Sequence, residues 1–415
     1  YAVMKDVSLR FEPVGDTQSE LTVLGDDSAY FSGNNLVSTG DFNTPVNPNR
    51  YKLKTRAGYV YYLDQQSGIE KVITPNGHTL IYSNDGIFHS SGKAVHFTRD
   101  SLGRITAITD PKGQVLEYDY SRQGDLQASR DALGNETRYS YNRNHGLLDI
   151  EDPLGRFIVR NIYDDDGRLI AQEDSDGNRT DFNHDIEGRQ SVVTDRRGNP
   201  TFLYYDESGN VTSRVDALGN ETSYSYDARG NQLTETDPLG NVTTATFNSS
   251  NDQLTQTDAL GNTTAYTYNS RGQELTITDA RGNVYKNSYD AVGNLLTVTD
   301  PDGNVAGNHI DIDGNVTKTT DMLGNATEYT YDGEGNKLTE TDSEGNTTSF
   351  TYDANGNVLT ETVTRQVNGQ TLTETTTYEY DAADRVIATH YPDGSTVRTE
   401  YDAVGNEVAT IDAQG

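Results

Sequence analysis

The sequence predicts an all-β protein: repetitive antiparallel β-hairpins forming one long curled sheet, a spiral hollow shell or part of one. Three observations carry this. Asp recurs every 21 residues from Asp195 through Asp216, Asp237, Asp258, Asp279, Asp300 and Asp321 to Asp342. A second series with the same step runs between them: Asp164, Asp185, Asp206, Asp227, Asn248, Asn269, Asp290, Asp311, Asp332 and Asp353. Almost every member is followed three residues later by Gly and usually then by Asn, and the stretches between alternate Tyr or Thr with polar residues. A fixed period of this kind marks one small unit stacked many times.

Residues 222–242 serve as the specimen unit. Thr222-Ser223-Tyr224-Ser225-Tyr226 alternates with the period of a strand and is rich in residues that favour pleated surfaces. Asp227 to Gly230 is a turn, because Asp accepts hydrogen bonds from the backbone just ahead and Gly adopts the positive φ that closes a hairpin. Asn231 to Thr236 is the second strand, and Asp237-Pro238-Leu239-Gly240 the second turn. The odd period constrains the hairpins: if paired residues share a face, one loop must be even and the other odd. An even loop at Asp227–Gly230 places Tyr226 opposite Asn231 and Tyr224 opposite Leu233. An odd loop, Pro238-Leu239-Gly240, with Gly240 in a left-handed bulge, then places Leu233 opposite Ala245. The expected apolar face has two rows. Leu203, Tyr224, Ala245 and Tyr266 interleave with Leu233, Leu254 and Leu275, and beside them run Tyr205, Tyr226, Phe247, Tyr268, Tyr289, Ile310, Tyr331 and Tyr352.

Composition narrows the function. The 415 residues are 33% hydrophobic, with 27 Tyr, no Cys and a formal charge of -32. The charge repels phosphate backbones and anionic membrane surfaces, so neither nucleic-acid binding nor membrane insertion by this segment is expected. No stretch approaches the roughly 20 apolar residues of a spanning helix. Without Cys there are no disulfides, thiolate metal sites or cysteine nucleophile. The chain opens at Tyr1 and stops at Gly415 inside a repeat, which predicts a slice of something larger.

Residues 1–58 lack the repeat and form a non-repeat N-terminal segment or the end of a preceding domain, with loops at Gly33-Asn34-Asn35 and Asn43-Thr44-Pro45-Val46-Asn47-Pro48. Residues 59–415 carry the repeat, degenerate at first near Gly58 to Asp64. From about Phe97 there are about 30 strands, a strip on the order of 140 Å wide at 4.8 Å per strand; rolled into one ring it would be about 45 Å across. About eight strands suffice for a barrel filled by its own side chains, so this sheet does not fill what it encloses. Between Asp353 and Asp381 the step lengthens to 28. Val367-Asn368-Gly369-Gln370 there predicts a longer, projecting hairpin.

No catalytic, cofactor-binding or metal-binding residue stands out. Asp174-Ser175-Asp176-Gly177-Asn178 and Asp311-Ile312-Asp313-Gly314-Asn315 have the oxygen spacing of a calcium loop, but Arg179 and Val316 stand where an EF-hand requires Gly, and both segments fall in phase with the turns. Paired carboxylates for glycoside hydrolysis are a poor reading of an Asp repeated throughout the chain. His78, His89, His96, His145, His184, His309 and His390 are scattered and show no pair at metal spacing; His184 and His309 read as substituted sheet positions. There is no Gly-x-Ser-x-Gly nucleophile elbow. The Tyr rows read first as packing and second as sugar platforms.

Tyr224-Ser225-Tyr226-Asp227-Ala228-Arg229-Gly230-Asn231, Tyr329-Thr330-Tyr331-Asp332-Gly333-Glu334-Gly335-Asn336 and Phe350-Thr351-Tyr352-Asp353-Ala354-Asn355-Gly356-Asn357 resemble the Tyr-Asp motif of the RHS/YD-repeat family. The resemblance covers roughly residues 59 to 415. Gly-Asn dominates here where the family has Gly-Arg, with Arg104, Arg156, Arg168 and Arg189 as minority cases. The resemblance implies a spiral sheet wound into a cocoon, as in bacterial polymorphic toxins, insecticidal toxin complexes and teneurins. In the toxins the shell encloses a C-terminal effector and ends in an autoproteolytic segment, which has no counterpart in these residues. The expectation is a non-enzymatic, cofactor-free shell segment of a secreted or cell-surface protein, its partner an enclosed C-terminal effector. The alternative is a teneurin-like adhesin binding glycans or a surface receptor.

Overall fold

The computed structural model describes residues 6–8, 11, 18–24, 28–32, 35–38 and 48–415. Among them, all regular secondary structure is β-strand. Asp6–Ser8, Ser28–Ser32 and Asn35–Ser38 form a three-stranded sheet. The other 36 strands form a single antiparallel sheet. It starts with Glu20–Val23 paired to Arg50–Lys54, and each later strand pairs with the next in sequence as far as Glu407–Ile411. The expected loop positions Gly33, Asn34 and 43–47 lie outside the described residues.

The two turns of each unit turn out to be alike. Asp227 N–H donates to the Asn231 carbonyl (2.9 Å) and Gly230 N–H to the Asp227 carbonyl (3.1 Å); Asp237, Asn241 and Gly240 repeat this at 2.9 and 3.0 Å. Gly230 and Gly240 sit at φ +86° and +83°, a left-handed conformation that favours Gly. The even loop expected at Asp227–Gly230 is therefore incorrect. Tyr226 lies opposite Gln232, Ser225 opposite Thr234 and Tyr224 opposite Glu235, with a register shift between Ser225 and Tyr226. Leu233 is the extra residue of a β-bulge. The following hairpin keeps the expected odd register, Thr234 opposite Thr244. Identical turn sequences take identical loops, so the odd period is absorbed inside a strand. The same shift recurs at Phe247, Tyr268, Tyr289, Ile310 and Tyr331.

The lengthened unit forms the expected long hairpin. Val358–Val367 and Gln370–Tyr380 pair out to Val367 opposite Gln370, around Asn368 and Gly369 at positive φ. Thirty strands run from Ala94–Arg99 to Glu407–Ile411.

The sheet is one layer thick. Among the described residues the buried hydrophobics are only Ala29, Val37, Val72, Ala128, Ala171 and Ala388, and no large side chain is fully buried. The accessible surface is 25627 Å², whereas a compact monomer of this mass would show about 16,000 Å².

The ladder stays open, since Glu20–Val23 and Glu407–Ile411 each pair with one neighbour. The strip nevertheless returns to itself through its turns. Arg56, between Arg50–Lys54 and Val60–Asp64, meets Asp252, between Val242–Phe247 and Gln253–Thr257. Nineteen strands lie between these turns, about 90 Å in a flat sheet. A flat strip cannot make this contact; a bend of about 19° per strand can. Later contacts advance in step on both sides, Asn76 to Asn294, Lys93 to Glu334 and Lys112 to Asp353. Advance in one direction is a spiral, whereas a strip folded back on itself would run in opposite directions. Coils of nineteen strands are about 30 Å across, tighter than the roughly 45 Å of the whole strip rolled into one ring.

Candidate functional site

The repeated Asp residues are keystones of their turns. Asp227 Oδ1 accepts the N–H groups of Arg229 and Asn231, both at 2.9 Å, and Oδ2 accepts the Asn231 side-chain amide at 2.9 Å. That amide is the first cause holding the Asp227 carboxyl below the usual aspartate range. Asp195, Asp216, Asp237, Asp258, Asp279, Asp300, Asp321 and Asp342 are lowered in the same way by Asn199, Asn220, Asn241, Asn262, Asn283, Asn304, Asn325 and Asn346. Both calcium-like segments share this geometry. Asp174 Oδ1 accepts from Asp176 and Asn178 N–H, and Asp311 Oδ1 from Asp313 and Asn315 N–H. Their carboxylates face amide donors within the turn. No group of three His, Asp or Glu suited to a metal occurs among the described residues.

The His residues make side-chain contacts that are near in sequence except at His78. His78 bonds the Asp313 carbonyl (2.8 Å) and its ring stacks on His89 with centroids 5.4 Å apart. His89 pairs with Ser91, His145 with Asp125, His184 with Ser191 and His390 with Glu379. His96 packs edge-on against Phe88.

The Tyr rows carry a bond that the sequence did not reveal. Tyr226, Tyr268, Tyr289, Tyr331 and Tyr352 donate their hydroxyls to the carbonyls of Val211, Gln253, Glu274, Val316 and Lys337, each 15 residues earlier, at 2.9, 2.8, 3.0, 2.9 and 2.6 Å. Burial raises the Tyr226, Tyr268, Tyr331 and Tyr352 hydroxyls above the ordinary tyrosine value. The opposite face carries hydroxyl pairs at the same period: Ser225–Thr234, Thr246–Thr255, Thr267–Thr276, Thr330–Thr339 and Thr351–Thr360, at 2.6 to 2.7 Å.

Most distinctive is the seam where coils meet. At its ion pairs one lip, of early turns, supplies the cations and the other, of later turns, the acids. Arg56 grips Asp252 through two bonds of 2.8 Å, and the guanidinium is the first cause lowering that carboxyl. Lys93 reaches Glu334 at 3.1 Å. Lys112 bridges Asp353 (3.0 Å) and Asp384 (2.7 Å), while Asn355 ties Asp384 to Asp110. The Lys112 and Asp353 side chains are only 21% and 14% exposed, so these pairs are shielded more than ordinary surface pairs. Further along, a groove of about 780 Å³ lies between Asp131, Pro153 and Arg156 on one lip and Arg385, Ala403 and Val404 on the other. What the arrangement does is mechanical: it clasps a strip into a wall.

Comparison with known proteins agrees. The RHS Repeat family matches residues 163–200, 205–242, 247–284, 313–347, 336–371, 363–396 and 380–415, more than half of the chain. The chain is similar in fold to the crystal structure of TcdB2-TccC3 without hypervariable C-terminal region, with a TM-score of 0.54 at 13% identity over 95% of this chain and 26% of that one. The TcdB2-TccC3-TEV structure gives 0.54 at 13% over 99% and 27%, and TcdB2-TccC3-Cdc42 gives 0.53 at 13% over 95% and 27%. The chain thus spans about a quarter of the length of these structures. No curated protein matches it. By its sequence, its hairpin unit and its sheet, the chain belongs to the RHS repeat family.

Proposed function

We propose that this chain is a non-catalytic wall segment of a large secreted or cell-surface protein, and that the wall encloses a C-terminal effector until delivery. Residues 59–415 are the wall in this reading, and residues 1–58 a segment of the region before it. The observation that carries it is the wound, single-layer sheet with a surface of 25627 Å². A coil of nineteen strands has more than twice the roughly eight that fill their own interior, and just exceeds the 16–18 strands of barrels that keep an open channel. Likeness in fold to TcdB2-TccC3, solved in one case without its hypervariable C-terminal region, supports the same reading.

The keystone Asp residues are consumed by turn geometry and no residue is assigned a catalytic role. The excess negative charge suits a saline extracellular setting, where screening limits self-repulsion. The test is protease protection in the longer protein that carries this segment. The region after the repeats should survive digestion while the wall is intact, and be cleaved once denaturant opens the wall. Equal cleavage in both conditions would refute enclosure.

A further inference from the structure

The turns on one edge of the strip follow the series Asp164 to Asp353, broken only at Asn248 and Asn269. Arg56 contacts these two turns. Its guanidinium grips Asp252 through two bonds of 2.8 Å and donates to the Asn269 and Ser270 carbonyls at 3.4 and 3.0 Å. The first break is an exchange rather than a loss. Asn248 takes over the keystone role, accepting from Ser250 and Asp252 N–H at 2.7 and 3.0 Å, and its amide donates to the Asp252 carboxylate at 2.9 Å. The turn keeps its bonds, while the carboxylate moves from the first position to the fifth, where Arg56 reaches it. From Asn210 to Asn357 the fifth position is otherwise Asn or Gln, so Asp252 is the one acid there. Arg271 reciprocates, donating to the Ala57 carbonyl at 3.2 Å. Each arginine lies across the glycine of the facing turn: a Cβ on Gly58 would meet Arg271 Nη1 at 2.5 Å, and one on Gly272 would meet Arg56 Nη1 at 2.9 Å.

We infer that Arg56 and the Asn248/Asp252 exchange are the register key of the winding: they select which later turn meets the start of the strip. Backbone carbonyls are offered by every turn and discriminate nothing, whereas the carboxylate is offered by one. Specificity is this difference between the right turn and its neighbours. The neighbouring registers lie one unit, two strands, to either side. They present Asn231 or Gln273 to Arg56 and would enclose seventeen or twenty-one strands instead of nineteen. Bore area scales with the square of strand number, so each step changes it by about a fifth. The Arg56 and Asp252 side chains are 21% and 12% exposed, and a two-bond arginine–carboxylate contact is the strong form of such a pair.

Exchanging two residues between the sister turns, Asp252→Gln with Gln273→Asp, tests this. Composition and charge stay the same. Each turn takes the side-chain pair that the other now has, Asn269 donating to Gln273 at 3.0 Å, so the fold should persist with an unchanged far-ultraviolet spectrum. The chain has no Cys, so a short thiol cross-linker applied to Ala57→Cys with Ser270→Cys, or with Ala291→Cys one unit later, reports the register. The two sites differ by two strands, about 9.6 Å. The parent should join Ala57→Cys to Ser270→Cys. The exchange should shift the yield ratio about tenfold or more toward Ala291→Cys, and Arg56→Gln should abolish that shift. An exchanged chain that keeps the parent's ratio would overturn the inference, and so would one that loses the Ser270→Cys product without gaining the other.

Discussion

Replacing Tyr226, Tyr268, Tyr289, Tyr331 and Tyr352 together by Phe removes five hydroxyls and nothing else. Each donates to a backbone carbonyl at 2.6 to 3.0 Å from a half-buried ring. Phe keeps the ring, so no cavity opens, and each loss is that of one hydrogen bond, about 0.5–1.5 kcal/mol. The nearest pairs, Tyr268 with Tyr289 and Tyr331 with Tyr352, lie two strands apart, about 9.6 Å, far enough for near-additivity. The five together should therefore cost about 5 kcal/mol. The assay is urea unfolding followed by circular dichroism, with a lowered midpoint at unchanged slope. Tyr224→Phe with Tyr266→Phe is the control, because those hydroxyls make no such carbonyl bond among the described residues. A five-fold variant that unfolds with the control would show that these hydroxyls do not hold the strands.

The keystone carboxylates Asp216, Asp237, Asp258, Asp321 and Asp342 are held low in the folded state, first by the partner Asn amide. Their stabilisation is complete above the unfolded value near 4 and is lost as pH falls through the lower folded values, so unfolding midpoints should fall steeply in acid. A midpoint independent of pH below about 4 would contradict this. Lys112→Ala leaves Asp353 and Asp384 side by side on the later lip without the cation that ties them across the seam. It should cost about 1–2 kcal/mol and speed amide exchange at residues 353–357, whereas exchange confined to residues 110–113 would refute a clasp. Gly240 sits at φ +83° with open space where a Cβ would project. Gly240→Val should cost about 1–2 kcal/mol from the backbone alone. Gly240→Asn should cost less, as Asn251 already holds φ 63° in the sister slot; equal melting shifts for both would count against this account of the turn.

Much of the fold was legible in residue spacing. Asp and Gly at a 21-residue step report turns directly, because each turn is closed by its own few residues. Asn368-Gly369 likewise announced the long hairpin, a two-residue turn with both residues at positive φ. The bulge at Leu233 was not legible. Parity showed that one residue must be absorbed in each unit, but two loop types and one bulge satisfy it equally. Only the shared geometry of Asp227–Gly230 and Asp237–Gly240 decides between them. Coil size was hidden for another reason: curvature accumulates from small angles between strands, and no single residue encodes it. The seam was least accessible of all. Arg56, Lys93 and Lys112 occur in early turns at no fixed spacing, and their partners lie 196 to 272 residues away. The Tyr hydroxyl bonds required knowing which carbonyl lies beneath each ring.

The winding of the strip is tested most directly by one distance. Ala57 and Ser270 flank the seam, where Arg56 donates to the Ser270 carbonyl at 3.0 Å and Arg271 to the Ala57 carbonyl at 3.2 Å. The chain has no Cys, so spin labels on Ala57→Cys and Ser270→Cys report only this pair. A wound strip gives a narrow distribution near 20 Å, label arms included, whereas a flat one separates the labels by about 100 Å across twenty-one strands. The short distance is the expected result; the long one would contradict the spiral and the wall built from it.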